Sequence, residues 1–176
     1  MDYDSLLRKH RKKLLARPEE LAVRLNCGRE EIIRIIPHRE PFLLVDRLTG
    51  IDLSSETITG VRYVRSDEPV FEGHFPGYPI YPGVLQLEMI GQLGLCLYYF
   101  IRNQVTEVGR DAVPVPIRAT RVLGAVYMEP IYPGSEVRLI ARKLDFDGLL
   151  ARVIGQAVVE ERVCCVVISE GYLLGD

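Results

Sequence analysis

His74, one of only three histidines, lies in Gly73-His74-Phe75-Pro76-Gly77-Tyr78-Pro79-Ile80-Tyr81-Pro82-Gly83, where six of eleven positions are Gly or Pro. That backbone is too bent for a helix or a central strand, so a stiff loop presents the imidazole. With an ordinary pKa of about 6.5, an imidazole takes or gives a proton near neutral pH. Just beyond, Glu88 interrupts residues 83–101, a run of helix length that is otherwise almost wholly apolar. An exposed acid favoured by the helix dipole is the plain reading of such a residue. Its neighbours Leu85, Leu87, Met89 and Ile90 favour a partly buried carboxyl, with the expectation that burial raises its pKa and leaves some of it protonated as an acid. Gln92, four residues on, shares that helix face and is placed to hydrogen-bond the acid or a substrate. At the helix start, Pro82-Gly83, the first N–H groups have no internal partner and the dipole is positive. The amides of Gly83 and Val84 are therefore candidates to hold an oxygen that gains negative charge, and the glycine suggests room for a carbonyl to approach.

These groups need elements to position them. Residues 4–35 carry a loose apolar stripe (Leu6, Leu7, Leu14, Leu15, Leu21, Val23, Leu25) that predicts helix, split near Pro18, with a short second helix over Glu30–Ile35 stopped by Pro37. The basic run from Arg8 to Lys13, His10 included, reads as the solvated face of this segment. Two strands, Phe42–Asp52 and Thr57–Arg65, flank the polar Ser54-Ser55-Glu56 turn. After the long helix comes a polar connector over 102–116. Strands at about 118–130, 135–145, 149–160 and 162–173 follow, separated by Pro133-Gly134, Asp147-Gly148 and Glu160-Glu161. A helix apolar on nearly all sides must be covered nearly all round. The pattern predicts an α+β fold in which an antiparallel sheet curls over that helix, with an N-terminal helical extension (1–31) ahead of the main domain (32–176).

Length, 176 residues, fits one domain with a real core. A net charge of −2 gives no case for nucleic acid. The helix 83–101 is long enough to tempt a membrane assignment, but Gln86, Glu88 and Gln92 argue for burial in protein instead. Cys27, Cys96, Cys164 and Cys165 lack metal-ligand spacing and read as reduced, small apolar residues. No apolar segment follows the N-terminal charges, so a cytoplasmic location is expected.

Three ordered motifs resemble one family. The Gly73–Glu88 block resembles the GHFPGxPxxPG motif and helix acid of the FabZ/FabA-type 3-hydroxyacyl-acyl-carrier-protein dehydratases. Pro37-His38-Arg39-Glu40-Pro41-Phe42-Leu43-Leu44-Val45-Asp46-Arg47 resembles the family's PHRxPFLLVDR opening. Ala125-Val126-Tyr127-Met128-Glu129-Pro130-Ile131-Tyr132-Pro133-Gly134 resembles its AxFxxPVxPG strand and turn. The resemblance spans about Ile32 to Leu173 and implies the hot-dog fold. It also implies dehydration of 3-hydroxyacyl chains held on the phosphopantetheine of acyl carrier protein, without metal or organic cofactor.

On that resemblance His74 is the base at the α-carbon, Glu88 the acid at the 3-hydroxyl, and Gly83, Val84, Gln92 and Phe75 the substrate-binding set. It further implies a homodimer whose His74 faces Glu88 of the other chain, such dimers commonly assembling three to a hexamer. Glu at position 88 resembles the branch that dehydrates without isomerising. Hot-dog proteins also include thioesterases, the alternative reading, but a carboxylate usually activates water there and His74 would have no evident purpose. A non-catalytic acyl-binding protein would not need the His74 and Glu88 pair. Arg39, Arg102, Arg118 and Arg121 are candidates for a basic rim facing the acidic carrier. Residues 37–47 otherwise read as turn placement and an internal ion pair. The chain departs from the family pattern in its longer N-terminus, in the connector with Pro114 and Pro116, and at Tyr78, Tyr81 and Ser135. Those departures bear on chain length and partner.

Overall fold

The computed structural model describes residues 1–174. The elements are α1 (Tyr3–His10), β1 (Val23–Cys27), α2 (Arg29–Ile35), β2 (Arg47–Asp52), β3 (Thr57–Tyr63), α3 (Gly83–Asn103), β4 (Ile117–Tyr127), β5 (Glu136–Phe146), β6 (Leu150–Val159) and β7 (Arg162–Leu173). The strands form one antiparallel sheet in the order β1-β2-β3-β5-β6-β7-β4. It curls around α3, the hot-dog arrangement that the sequence implies.

The sheet wraps α3 because α3 has no polar side to leave in water. Met89, Ile90, Leu93, Cys96, Leu97 and Phe100 are all buried, against Ile58, Leu139, Ala141, Ala157 and Val167 among others. Small residues on the sheet let the helix come close: a Cβ on Gly155 would stand 2.2 Å from Ile90 Cγ2. The helix stops where Gln104 enters the left-handed region (φ 52°) and the Val105 N–H donates back to the Phe100 carbonyl at 3.3 Å. By length and hydropathy α3 alone qualifies as a membrane span among the described residues, and most of it is buried inside this sheet.

Period-two alternation gives the sheet a second apolar face. Along β6, Ala151, Val153 and Ala157 face α3, whereas Ile154 and Val158 face away and join Ile140, Val163, Val166 and Ile168. The N-terminal segment covers that outer face with Leu7, Leu15, Ala16 and Leu21. Gln156, 0% exposed, pins it: its Oε1 accepts from the Leu15 N–H at 2.8 Å, and its Nε2 donates to the carbonyls of His10 (2.7 Å) and Lys13 (3.0 Å).

Several expectations change here. Residues 4–35 are not continuously helical: Val23–Cys27 is an edge strand paired with β2, its alternating Val-Arg-Leu-Asn-Cys pattern having been absorbed into the stripe. The strand expected from Phe42 begins only at Arg47. His10, expected on the solvated face, is 6% exposed. Burial lowers its pKa, and nearby Lys9, Arg142 and Lys13 push the same way against a hydrogen bond to the Lys13 carbonyl. Asp46 pairs with Arg29 (3.3 Å) and Arg62 (3.5 Å) rather than with Arg47, which donates to the Tyr63 hydroxyl.

Candidate active site

The Gly/Pro loop ties itself down before it presents anything. The His74 N–H donates to the Val70 carbonyl, the Ile80 N–H to the His74 carbonyl, and Phe75 and Tyr78 bond each other across a turn that Gly77 makes at φ 76°. The His74 ring is half-buried, with Nδ1 2.9 Å from the Ile80 carbonyl oxygen. A carbonyl only accepts, so Nδ1 carries the proton and the Nε2 lone pair is left as the basic atom. Phe75 stacks on the ring with centroids 4.0 Å apart and is 49% exposed.

Glu88 is held by two donors. Gln92 Nε2, one helical turn on, donates to Glu88 Oε1 at 2.9 Å, and His38 Nε2 lies 3.2 Å from the same oxygen. Gln92 is 1% exposed, and the rest of its amide is spent on the segment after α2: Oε1 accepts from the Leu44 N–H (2.8 Å) and Nε2 donates to the Phe42 carbonyl (2.9 Å). One side chain thus lashes the 37–46 segment to α3 and sets His38 over Glu88. His38 Nδ1 is buried without a hydrogen-bond partner. Protonating it would strand a buried N–H, so the fitting tautomer is the one whose Nε2–H donates to the carboxylate. The His38 hydrogen bond is the largest influence on Glu88; with that of Gln92 it outweighs burial and holds the carboxyl below its ordinary pKa. The expected rise therefore gives way to a fall, because donors favour the charged form.

Glu88 and His38 stand in the wall of a cleft of about 560 Å³ that runs down one side of α3. Its helix wall steps turn by turn through Val84, the neighbours Leu87 and Glu88, then Gly91, Leu95 and Tyr98, and Ala151, Val153, Ser169 and Gly171 face it from the sheet. The rest of the lining is mostly apolar, with Thr120, Arg121, Ser169 and Glu170 as polar groups on the sheet side.

Of the six sequence-derived residues, Glu88, Val84 and Gln92 line this cleft, while His74, Phe75 and Gly83 do not. His74 therefore does not line the cleft that holds Glu88. Gln92 contacts the acid and the backbone rather than offering its amide to a ligand. The space over Gly83 is filled: a Cβ there would stand 2.9 Å from Tyr127 Cε1, so the glycine admits a tyrosine ring from β4. The N–H groups of Gly83 and Val84 have no acceptor among the described residues, and Val84 is 69% exposed. The sequence reading missed His38 as Glu88's partner. Its signal was faint: a second rare histidine beside Pro37, fifty residues from the acid in sequence. Of the four arginines proposed for a rim, Arg121 lines the cleft, whereas Arg39 caps the Ile36 and His38 carbonyls. Among the described residues no group of three or more His, Cys, Asp or Glu side chains converges as metal ligands would.

Comparison with known proteins adds the following. A family model described as the FabA-like domain matches residues 36–165. The chain is 37% identical over 133 residues to 3-hydroxyacyl-(acyl-carrier-protein) dehydratase FabZ of Hydrogenobaculum sp., covering 76% of this chain and 85% of that protein. It is 33% identical over 142 residues to the protein of the same name from Syntrophomonas wolfei, covering 81% and 92%. Among solved structures, the dehydratase heterocomplex ApeI:P from Xenorhabdus doucetiae superposes with a TM-score of 0.62 at 16% identity, over 82% of this chain and 91% of that one. A thioesterase from Haemophilus influenzae gives 0.51 at 12% identity, over 73% and 78%. At such identities the two structures speak for the fold alone.

Proposed function

The chain belongs to the FabA-like domain family, and from that membership we propose that it removes water from 3-hydroxyacyl thioesters on acyl carrier protein, giving trans-2-enoyl thioesters for fatty-acid or polyketide-type synthesis. The observation that carries this reading is a carboxylate, gripped by His38 and Gln92, in the wall of a mostly apolar cleft that runs along α3.

The chemistry divides among three groups. His74 Nε2 takes the proton α to the thioester carbonyl. The free N–H groups of Gly83 and Val84, at the positive end of α3, hold the oxygen on which enolate charge gathers. Glu88, in the form of the His74–Glu88 pair that carries the shared proton on Oε2, gives that proton to the 3-hydroxyl, which leaves as water. Donors on Oε1 stabilise the carboxylate left behind, so they strengthen Glu88 as an acid. The cycle closes when the proton on His74 returns to Glu88, and the working state is the pair holding one proton. Phe75, stacked on His74, is the contact for the thioester end of the substrate.

His74 lies outside the Glu88 cleft of its own chain, which supports a homodimer in which the imidazole of one chain completes the site of the other. A trimer of such dimers is part of the same proposal, as is Arg121 as a contact for the acidic carrier. Glu rather than Asp at position 88 favours dehydration without isomerisation. Four free, buried thiols suit a cytoplasmic setting.

Hydration of crotonyl thioester, followed by the loss of enoyl absorbance, tests the assignment. His74→Ala and Glu88→Gln should each lower kcat by about 10²–10⁴-fold with the fold intact. Free thiol release without loss of the enoyl signal would instead mean a thioesterase.

A further inference from the structure

Three glycines sit in α3. Gly83 makes room for Tyr127, whereas a Cβ on Gly94 would meet Val153 at 3.6–3.9 Å, ordinary van der Waals contact. Gly91 is fully open: nothing lies within 4 Å of where its Cβ would stand. A mid-helix glycine weakens a helix relative to alanine, so an open glycine there is a standing cost without a contact to explain it. The empty space beside it is the cleft, which Gly91 lines between Leu87 and Leu95.

Its place along the cleft is specific. Gly91 is three residues past Glu88, roughly 4.5 Å along the helix axis, or about three to four carbons of an extended chain. With a 3-hydroxyl at Glu88, the acyl chain passes Gly91 at roughly its sixth or seventh carbon. Beyond lie Leu95 and Tyr98, opposite Ala151 and Gly171. Resting on the dehydratase reading, we propose that the missing side chain at Gly91 is a specificity determinant: it keeps the cleft open to acyl chains too long to end before that turn.

The test uses the full chain and two variants, Gly91→Ala and Gly91→Leu. Hydration of four-carbon and ten-carbon trans-2-enoyl N-acetylcysteamine thioesters is measured, together with thermal melting. The ratio of kcat/KM for the ten-carbon over the four-carbon substrate should fall about 10-fold in Gly91→Ala and about 100-fold in Gly91→Leu. Gly91→Ala should also melt about 2–4 °C higher, since it gains helix propensity and meets no neighbour. An unchanged ratio in both variants, or an equal loss on both substrates, overturns the proposal. So does a Gly91→Ala protein that melts lower, which would mean the glycine serves packing. If the unaltered chain hydrates neither thioester, it is the dehydratase reading that falls, and this inference with it.

Discussion

Gln92 and Gln156 are both fully buried, both make three hydrogen bonds, and each fastens a distant segment to the sheet-and-helix core. They differ in one partner. All three bonds of Gln156 go to backbone groups of residues 10–15, so every group it touches is neutral and fixed. Gln92 spends two on backbone and the third on Glu88, a group that titrates. The same side chain is therefore a fastener on the outer face of the sheet and a fastener that also tunes an acid on the inner one. A buried amide bonded only to neutral backbone marks a structural pin; one bonded to a half-exposed carboxylate marks a site.

Substitutions can break that contrast. Gln156→Leu should have the largest effect on stability, about 3 kcal/mol, because three backbone groups lose their partner inside the protein. The molecules that remain folded should hydrate enoyl thioester at the unaltered rate and with an unaltered pH profile. Denaturant titration beside the activity assay checks both halves, and a shifted pH profile would erase the distinction between the two glutamines.

Gln92→Leu should cost less stability, about 2 kcal/mol from the stranded Leu44 N–H and Phe42 carbonyl, but it should also move a pH limb. Glu88's folded pKa is held down, so its contribution to stability is present above the unfolded pKa and is lost as pH falls through the folded value. Removing a donor raises the folded value. The acidic limb of kcat/KM, which belongs to the His74–Glu88 pair, should accordingly shift to higher pH, and the pH-dependent stability that Glu88 contributes should shrink. His38→Phe should change stability least, under about 1 kcal/mol, since the ring is only partly buried and gives up one bond. Its effect on the acidic limb should exceed that of Gln92→Leu, because the His38 hydrogen bond is the largest influence on Glu88.

How much of this the sequence carries varies with the distance over which each feature is decided. β4 to β7 were legible to within a few residues because alternation and Pro-Gly or Asp-Gly turns are local signals. α3 was legible because an apolar run of that length has one use in such a chain. The strand Val23–Cys27 was hidden: five alternating residues adjoining a loose helical stripe can be read with either period, and pairing with β2 decides it. His74 and Glu88 stood out by residue type in an unusual setting. Glu88's electrostatics did not, since the donor that sets its pKa comes from His38 on a segment positioned by Gln92. The burial of His10 likewise depends on residues about 140 positions away.

That last separation has a consequence for biosynthesis. Residues 1–22 leave the ribosome with an apolar stripe and no surface to cover, since Gln156 and the β6 and β7 residues they dock on are made more than 130 positions later. At typical elongation speeds the wait is roughly 7–30 s. Through that interval the stripe formed by Leu7 and Leu15 is open to chaperones or to neighbouring chains. Its protection from proteolysis in ribosome-bound nascent chains would therefore report that β6 and β7 have joined the sheet.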